Sequence, residues 1–362
     1  MIEISAIQST NHNKTLWNKY VLSDPNASIY HLWEWGEVIS KTYNHKKYYL
    51  TIQEDGDIIG IIPFIHIRSN LFANKLISLP FCEYGGPLLA THLDPSIIEH
   101  TLKTLSRKLL MLTKMLKTDY IELRQPSSAL FRLLSLTRTS FKICRRSLTF
   151  EIDLTKEESV LWKNLEKRTR KHTRKALRTG VEVRDVDSNT LTQYYMLYLK
   201  TQKIHGSPPH SYNFFKNIYD IFKPKGRLQM LLATYKGKPI AGRMVFCFNG
   251  KINCWNSVID RKYASLSASN LLLWHIIRWG TKNEFKVLDL GRTRIEDKGV
   301  YHFKRGWGGK RKILEDYAFF SRKREIPDPL QKKYFFLSNL WSLLPQTMTE
   351  KIGPSIISNI GL

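Results

Sequence analysis

Apolar residues recur in this chain with two periods, and the elements they predict come in the same order twice. Tyr48 to Ile52 and Ile58 to Ile67 flank Asp55-Gly56-Asp57, which reads as a β-hairpin. A third strand is expected at Lys75 to Leu79. Ile97, Ile98, Leu102, Leu105, Leu109, Leu112 and Leu116 then fall at helical spacing, marking a long amphipathic helix, and Asp119 to Leu123 returns as a strand. Further on come Leu228 to Thr234, the turn Lys236-Gly237-Lys238, Ile240 to Phe248, Asn249-Gly250, Lys251 to Val258, a helix from about Ser267 to Asn283 and a strand at Lys286 to Leu290. The two closing strands resemble each other, Tyr120-Ile121-Glu122-Leu123 against Val287-Leu288-Asp289-Leu290. A weak internal duplication is the economical explanation. Hairpins alternating with crossover helices predict an α/β (α+β) protein with a mixed sheet covered by helices in each half.

Other stretches punctuate this order. Leu32, Trp35, Val38 and Ile39 predict a helix packed on a sheet, and Phe81 to Pro87 is an aromatic, glycine-rich loop that either lines a cleft or turns the chain. Between the halves, Leu161 to Val183 reads as a helix that stops at Gly180. It carries Lys167, Arg168, Arg170, Lys171, Arg174, Lys175 and Arg178 with no acidic residue after Glu166, so it either faces an anion or holds long side chains in water. Lys203 to Tyr212 reads as a loop, and its His205 and His210 lack metal-ligand spacing. The expected organisation is an N-terminal domain at 1–150, a C-terminal domain at 151–325 that includes the basic helix 161–180, and an amphipathic tail at 326–362. That tail packs on the second domain or lies on a membrane surface with Lys323, Arg324, Lys332 and Lys333 toward phosphates.

Composition narrows the partner. The 362 residues include 57 Lys and Arg against 31 Asp and Glu, a formal charge of +26, which predicts attraction to phosphates, nucleic acid or an anionic membrane face. The hydrophobic share of 42% is that of a globular chain. Four cysteines at 82, 144, 247 and 254 have no zinc-site spacing, and reduced thiols in a cytoplasmic setting are expected. No metal is expected. The N-terminal stretch lacks a basic leader followed by an apolar core, and no apolar run is long enough to span a bilayer, so any membrane contact is expected to be peripheral, at the inner face.

Candidate chemistry concentrates in Lys286 to Lys312. A short apolar strand is interrupted by Gly291, which places Asp289 and Arg292 at its carboxyl end, and Gly299, Tyr301, Phe303, Trp307, Gly308 and Gly309 surround Lys304 and Arg305. Aromatic walls, pliable backbone and fixed cations suit an anionic ligand. The same residues would also serve as an ion pair and turns at a sheet end.

These motifs resemble the FemAB-like family, the peptidoglycan bridge aminoacyltransferases and related acyltransferases associated with envelope polysaccharides. The resemblance rests on Arg168 to Ala176 followed by Gly180-Val181, on the helix Ala268 to Trp279 leading into Asp289-Leu290-Gly291-Arg292, and on Gly299-Val300-Tyr301-His302-Phe303-Lys304 with Trp307-Gly308. It implies tandem GNAT-like acyltransferase domains and transfer of an aminoacyl or acyl group to an amine of a peptidoglycan or polysaccharide precursor. It also implies that Phe303-Lys304 lies at the reaction centre, where a fixed cation stabilises the oxyanion formed as the amine attacks. Asp289 is then a candidate base or orienting group, Phe303, Arg305 and Trp307 shape the pocket, and Arg292 holds an anionic group. Asn270 and His275 on the central helix are further candidates, and Arg170, Arg174 and Lys175 are candidate contacts to an anionic substrate or tRNA. No bound cofactor is expected. Acetyl-CoA-dependent GNAT domains cradle pyrophosphate on a glycine-rich turn before the central helix, but Arg261 to Ser267 has no glycine there. That favours aminoacyl-tRNA or another acyl carrier over acetyl-CoA. Two alternatives stand beside this reading: an acetyl-CoA-dependent N-acetyltransferase, and a non-catalytic RNA- or polyanion-binding protein that uses Arg168 to Arg178.

Overall fold

A computed structural model of the chain describes residues 2–7, 10–90, 93–124, 141–322, 326 and 332–361. The chain divides into two units. Unit 1 comprises Met1–Arg146, Glu315–Asp328 and Ser358–Leu362, and unit 2 comprises Ser147–Leu314 and Pro329–Ile357.

In unit 1, β1 (Ile2–Ala6) is followed by α1 (Asn11–Ser23), α2 (Trp33–Tyr43), the hairpin strands β2 (Lys46–Glu54) and β3 (Asp57–Ile67), then β4 (Lys75–Ser78) and β5 (Leu88–Leu89). The hairpin turns where expected, because Asp55 and Gly56 both take positive φ, 50° and 94°, as a two-residue turn between twisted strands requires. The helix α3 (Pro95–Leu116) buries Leu102, Leu105, Leu109 and Leu112 against Leu50, Ile62, Phe64 and Leu76 of the sheet, the stripe its spacing foretold. It crosses to β6 (Tyr120–Arg124), which pairs parallel with β4. Strands β1 to β4 are antiparallel neighbours in order, and β6 is closed antiparallel by Asp316 to Phe320 of a late strand at Lys310–Phe320. The loop at 81–87 is packed rather than open: His31 Nε2 donates to Gly86 O at 2.9 Å, and the Tyr30 hydroxyl donates to Glu83 at 2.6 Å.

Unit 2 repeats the arrangement. After β7 (Lys142–Asp153) come α4 (Glu158–Asn164), α5 (Lys167–Arg178), β8 (Val181–Asp185), α6 (Leu191–Ile204) and α7 (Tyr212–Phe222). They are followed by β9 (Leu228–Tyr235), β10 (Lys238–Phe248), β11 (Lys251–Ile259), α8 (Ala268–Lys282), β12 (Val287–Asp289), β13 (Thr293–Arg294), α9 (Lys298–Arg305) and β14 (Lys310–Phe320), the late strand above. Strands β8 to β11 are antiparallel neighbours, β11 and β12 are parallel, and β12 pairs antiparallel with Glu151 to Asp153 of β7. The order of parallel and antiparallel pairings is that of unit 1, so the duplication and the mixed α/β class are borne out. Leu272, Leu273, Ile276 and Ile277 of α8 enter a core with Ala233, Ile240, Val245, Ile252 and Leu288.

One expectation changes. The basic stretch is two helices, not one, because Leu165 and Glu166 take extended backbone (ψ 141° and 148°). Leu165 is buried in the core, and Glu166 N donates to Gly306 O at 2.9 Å. The end of the chain forms α10 (Lys332–Leu343) and α11 (Gln346–Ile360). Residues up to Ile357 belong to unit 2, where Gly353 lies tight against Pro209 and Gly206 against Ser338, while Ser358 to Gly361 belong to unit 1. Phe336, Leu337, Leu340 and Leu343 of α10 remain exposed. Lys323, Arg324 and the side chains of Lys332 and Lys333 lie outside the described residues.

Candidate active site

The exit of β12 is built around Gly291, whose φ of +77° suits a residue without Cβ and turns the chain out of the sheet. Asp289, buried at 3% exposure, holds that turn: its Oδ1 accepts from Gly291 N at 2.8 Å and from the Thr149 hydroxyl. The Gly291 and Arg292 carbonyls consequently face one way, and Lys304 Nζ donates to both, at 2.7 and 3.1 Å. Arg292 sends Nη1 to Ser147 Oγ at 2.8 Å. The two residues read as catalytic, Lys304 and Asp289, are thus joined through one backbone turn.

A cleft of about 640 Å3 is formed by the starts of α5 and α8 and by α9, and Lys304, Asp289 and Arg292 are not among the residues that line it. Phe303, Arg305 and Asn270 line it, with Arg168, Thr169, His172, Ser267, Ser269 and His302. The start of α8 supplies the cleft's positive end, since the first N–H groups of a helix have no partner within it. Ser267 caps α8 in the left-handed region, φ 58°, a conformation usually left to glycine. His172 Nδ1 lies 3.0 Å from Ser267 Oγ. Burial, then Arg168, Lys171 and Lys175, hold the His172 imidazole below its ordinary pKa, so it is neutral at pH 7. Arg305 is fixed by Glu166, Nε to Oε1 at 3.0 Å, with both side chains in water.

Other sequence candidates sit elsewhere. Trp307 is 1% exposed and belongs to the core behind Phe303, ring centroids 6.2 Å apart, so it supports the cleft wall and does not form it. His275 is exposed on α8 and lines a separate groove with Glu158, Arg278 and Trp279. Arg170 donates to Lys163 O and Leu165 O, closing the end of α4. Arg174 lies over the Trp162 ring at 5.4 Å. Lys175 is exposed. His210 stacks on Phe214 at 4.2 Å, and burial pushes its pKa down to about 3. Among the described residues no group of His, Cys, Asp and Glu is placed to hold a metal ion. Sequence reasoning did not single out Thr169, Ser269 or His302 as cleft residues, because they belong to three helices whose juxtaposition only tertiary packing creates. Nor did it find the left-handed Ser267, since a serine there gives no signal.

Residues 163–305, which lie within unit 2, match the family model described as an acetyltransferase (GNAT) domain. The fold extends further. FemX superposes with a TM-score of 0.66 at 14% identity over 88% of this chain and 97% of that one, and a tandem GNAT protein from the clavulanic acid biosynthesis pathway superposes at 0.53 and 10% identity over 90% and 100%. Among curated proteins, the Lipid II:glycine glycyltransferase of Staphylococcus haemolyticus (strain JCSC1435) is 24% identical over 234 residues, covering 61% of this chain and 54% of that protein. The chain spans about half the length of the curated relatives it matches. The glycyltransferase matches bear out the resemblance to the FemAB-like family read from the motifs, and the FemX superposition bears out the fold it implied.

Proposed function

We propose that the protein is a FemAB-like N-acyltransferase that moves an aminoacyl or acyl group onto an amine of a cell-envelope precursor. The observation that carries this reading is the fixed cation of Lys304, held by two carbonyls at the β12 exit, on a helix whose Phe303 and Arg305 line a cleft that begins at a helix N-terminus. The names of the curated relatives, Lipid II:glycine glycyltransferases, support a lipid-linked peptidoglycan precursor as acceptor and an aminoacyl group as cargo.

The acceptor nitrogen attacks the carbonyl carbon of the donor ester, a C–N bond forms, and the carbonyl oxygen takes up negative charge beside Lys304. The C–O bond then breaks, and the proton lost by nitrogen leaves with the donor oxygen. A preset cation needs no reorganisation as that charge develops. Asp289 acts through the turn, holding the carbonyls that place Lys304, and Phe303 walls the cleft. Arg168, Arg305 and the α8 terminus take donor phosphate. Exposed Lys167, Lys171, Lys175 and Arg178 on α5 offer a surface to tRNA, and the apolar face of α10 offers one to a membrane. Among the described residues no helix is long and apolar enough to cross a membrane.

The match to an acetyltransferase model favours a second donor, acetyl-CoA, whose pyrophosphate would use the same helix start. Label transfer into an amide, with charged tRNA and acetyl-CoA offered separately to lipid-linked and nucleotide-linked envelope precursors, decides between them. Transfer from charged tRNA supports the main reading, and transfer from acetyl-CoA replaces its donor. No transfer from either, with salt-sensitive RNA binding that survives Lys304→Ala, would favour the binding protein.

A further inference from the structure

Unit 1 has a cleft of about 820 Å3 at the amino-terminal ends of β4 and β6, lined on one side by the end of α3. In unit 2 the equivalent strands, β11 and β12, meet the candidate site at their carboxyl ends. The unit 1 cleft is therefore not the duplicated counterpart of that site.

Its wall is built around one side chain. Asn74 donates from Nδ2 to Leu116 O and Lys117 O at 2.8 and 2.9 Å and from its backbone N to Asp119 at 2.9 Å, and its Oδ1 accepts from His66 Nε2 at 2.7 Å. Opposite it, His45 Nε2 donates to Ser358 O at 3.1 Å. Both imidazoles are partly buried, which holds them below their ordinary pKa and neutral at pH 7. Onto this frame project Lys46, Arg68, Lys117 and Arg322. Lys46, Arg68 and Lys117 have no carboxylate partner among the described residues, and the carboxylate that faces them, Asp119, is 3.8 Å from Arg322. The ends of α2 and α3 also point here, each contributing about −0.5 of an elementary charge. Set against four side-chain cations, those half-charges and Asp119 leave the cleft at about +2. Cations gathered to neutralise two helix ends would not leave that excess.

We propose that this cleft binds a phosphate-bearing small molecule of nucleotide size. Arg68, Lys117 and Lys46 supply charge and donors for two phosphates. Tyr48, edge-on to His66 with ring centroids 5.9 Å apart, gives a flat wall, and the volume falls in the range of small-ligand pockets.

Calorimetry on the full chain at fixed moderate salt tests this, with pyrophosphate, ADP and phosphatidylglycerol vesicles as probes. One ADP should bind per chain, more tightly than pyrophosphate, and Arg68→Glu with Lys117→Glu should weaken it at least tenfold. The same charge change on α5, Lys167→Glu with Lys171→Glu, should leave it unaltered. Arg68→Gln with Lys117→Gln repeats the test should the first pair disturb folding. No binding at millimolar ADP, equal weakening by both charge changes, equal affinity for pyrophosphate and ADP, or binding confined to vesicles would each overturn the proposal.

Discussion

Lys304 sits where a small displacement matters, because its ammonium donates to two backbone carbonyls of one turn. Lys304→Ala is expected to lower the transfer rate about 100- to 1,000-fold, the usual cost of losing one oxyanion-stabilising group, while circular dichroism stays unchanged. Arg170→Ala should behave in the opposite way. Without the hydrogen bonds to Lys163 O and Leu165 O, stability should fall by about 1 kcal/mol, seen as a lower Tm, with the transfer rate of the folded enzyme retained. Lys75 gives a pH signature. Its side chain is buried, its Nζ donates to Phe72 O and Asn359 O, and burial lowers its pKa from 10.5 to about 7. The unfolded chain keeps this proton up to 10.5 while the folded protein releases it near 7, so unfolded molecules bind more protons in between, and stability rises with pH across that window. The Tm gain between about pH 7 and 9.5 should shrink in Lys75→Met; an unchanged gain would show that Lys75 titrates normally. The sequence singled out Asp289, Phe303 and Lys304 because they follow a strand end in a recognisable motif. Trp307 misled because a tryptophan between glycines resembles a pocket wall, whereas its size draws it into the core.

Secondary elements were largely legible where one period ran long. The stripe of α3 and the hairpins β2–β3 and β9–β10 follow directly from spacing and turn residues. The break between α4 and α5 was hidden, because Leu165-Glu166 has good helix propensity and only the burial of Leu165 and the bond from Glu166 N to Gly306 O pull it extended. The turn from α9 into β14 shows how such junctions are fixed. Gly308 has φ +74°, and a Cβ there would lie 2.6 Å from Asn164 O. Gly308→Ala is expected to cost about 1–3 kcal/mol, and thermal unfolding would reveal it as a lower Tm.

Across the whole chain, the repeated order of pairings lets the two halves be compared position by position. Glu122 on β6 stands where Asp289 stands on β12, each facing the equivalent residue of its parallel partner, Ile77 and Asn253. The two carboxylates have different surroundings. Glu122 is fully buried, which opposes its charge, yet Arg145 and Arg124 outweigh this and hold its pKa below the usual carboxylate range. Arg145 also reaches Asp316 at 3.2 Å. In unit 1 the carboxylate locks a sheet, and in unit 2 it aims a lysine. The sequence pointed to the duplication but not to this divergence, because Arg145 lies far along the chain from Glu122. The +26 charge makes its own prediction: tRNA binding should fall steeply between about 50 and 200 mM salt, and Lys167→Glu with Lys171→Glu should flatten the log–log slope by about 1 for each phosphate no longer neutralised. Filter binding over a salt series would measure it, and an unchanged slope would remove α5 from the RNA surface.

The stretch 358–361 has a consequence for biosynthesis. Unit 1 draws on it directly: Lys75 donates to Asn359 O, His45 to Ser358 O and Arg124 to Gly361 O, and Gly361 lies against Ile67 and Ile77. On the ribosome, the half made first must therefore wait for residues made more than two hundred positions after β6, with a buried lysine and arginine short of acceptors in the meantime. Nascent unit 1 should remain protease-sensitive until the chain has been made through Gly361.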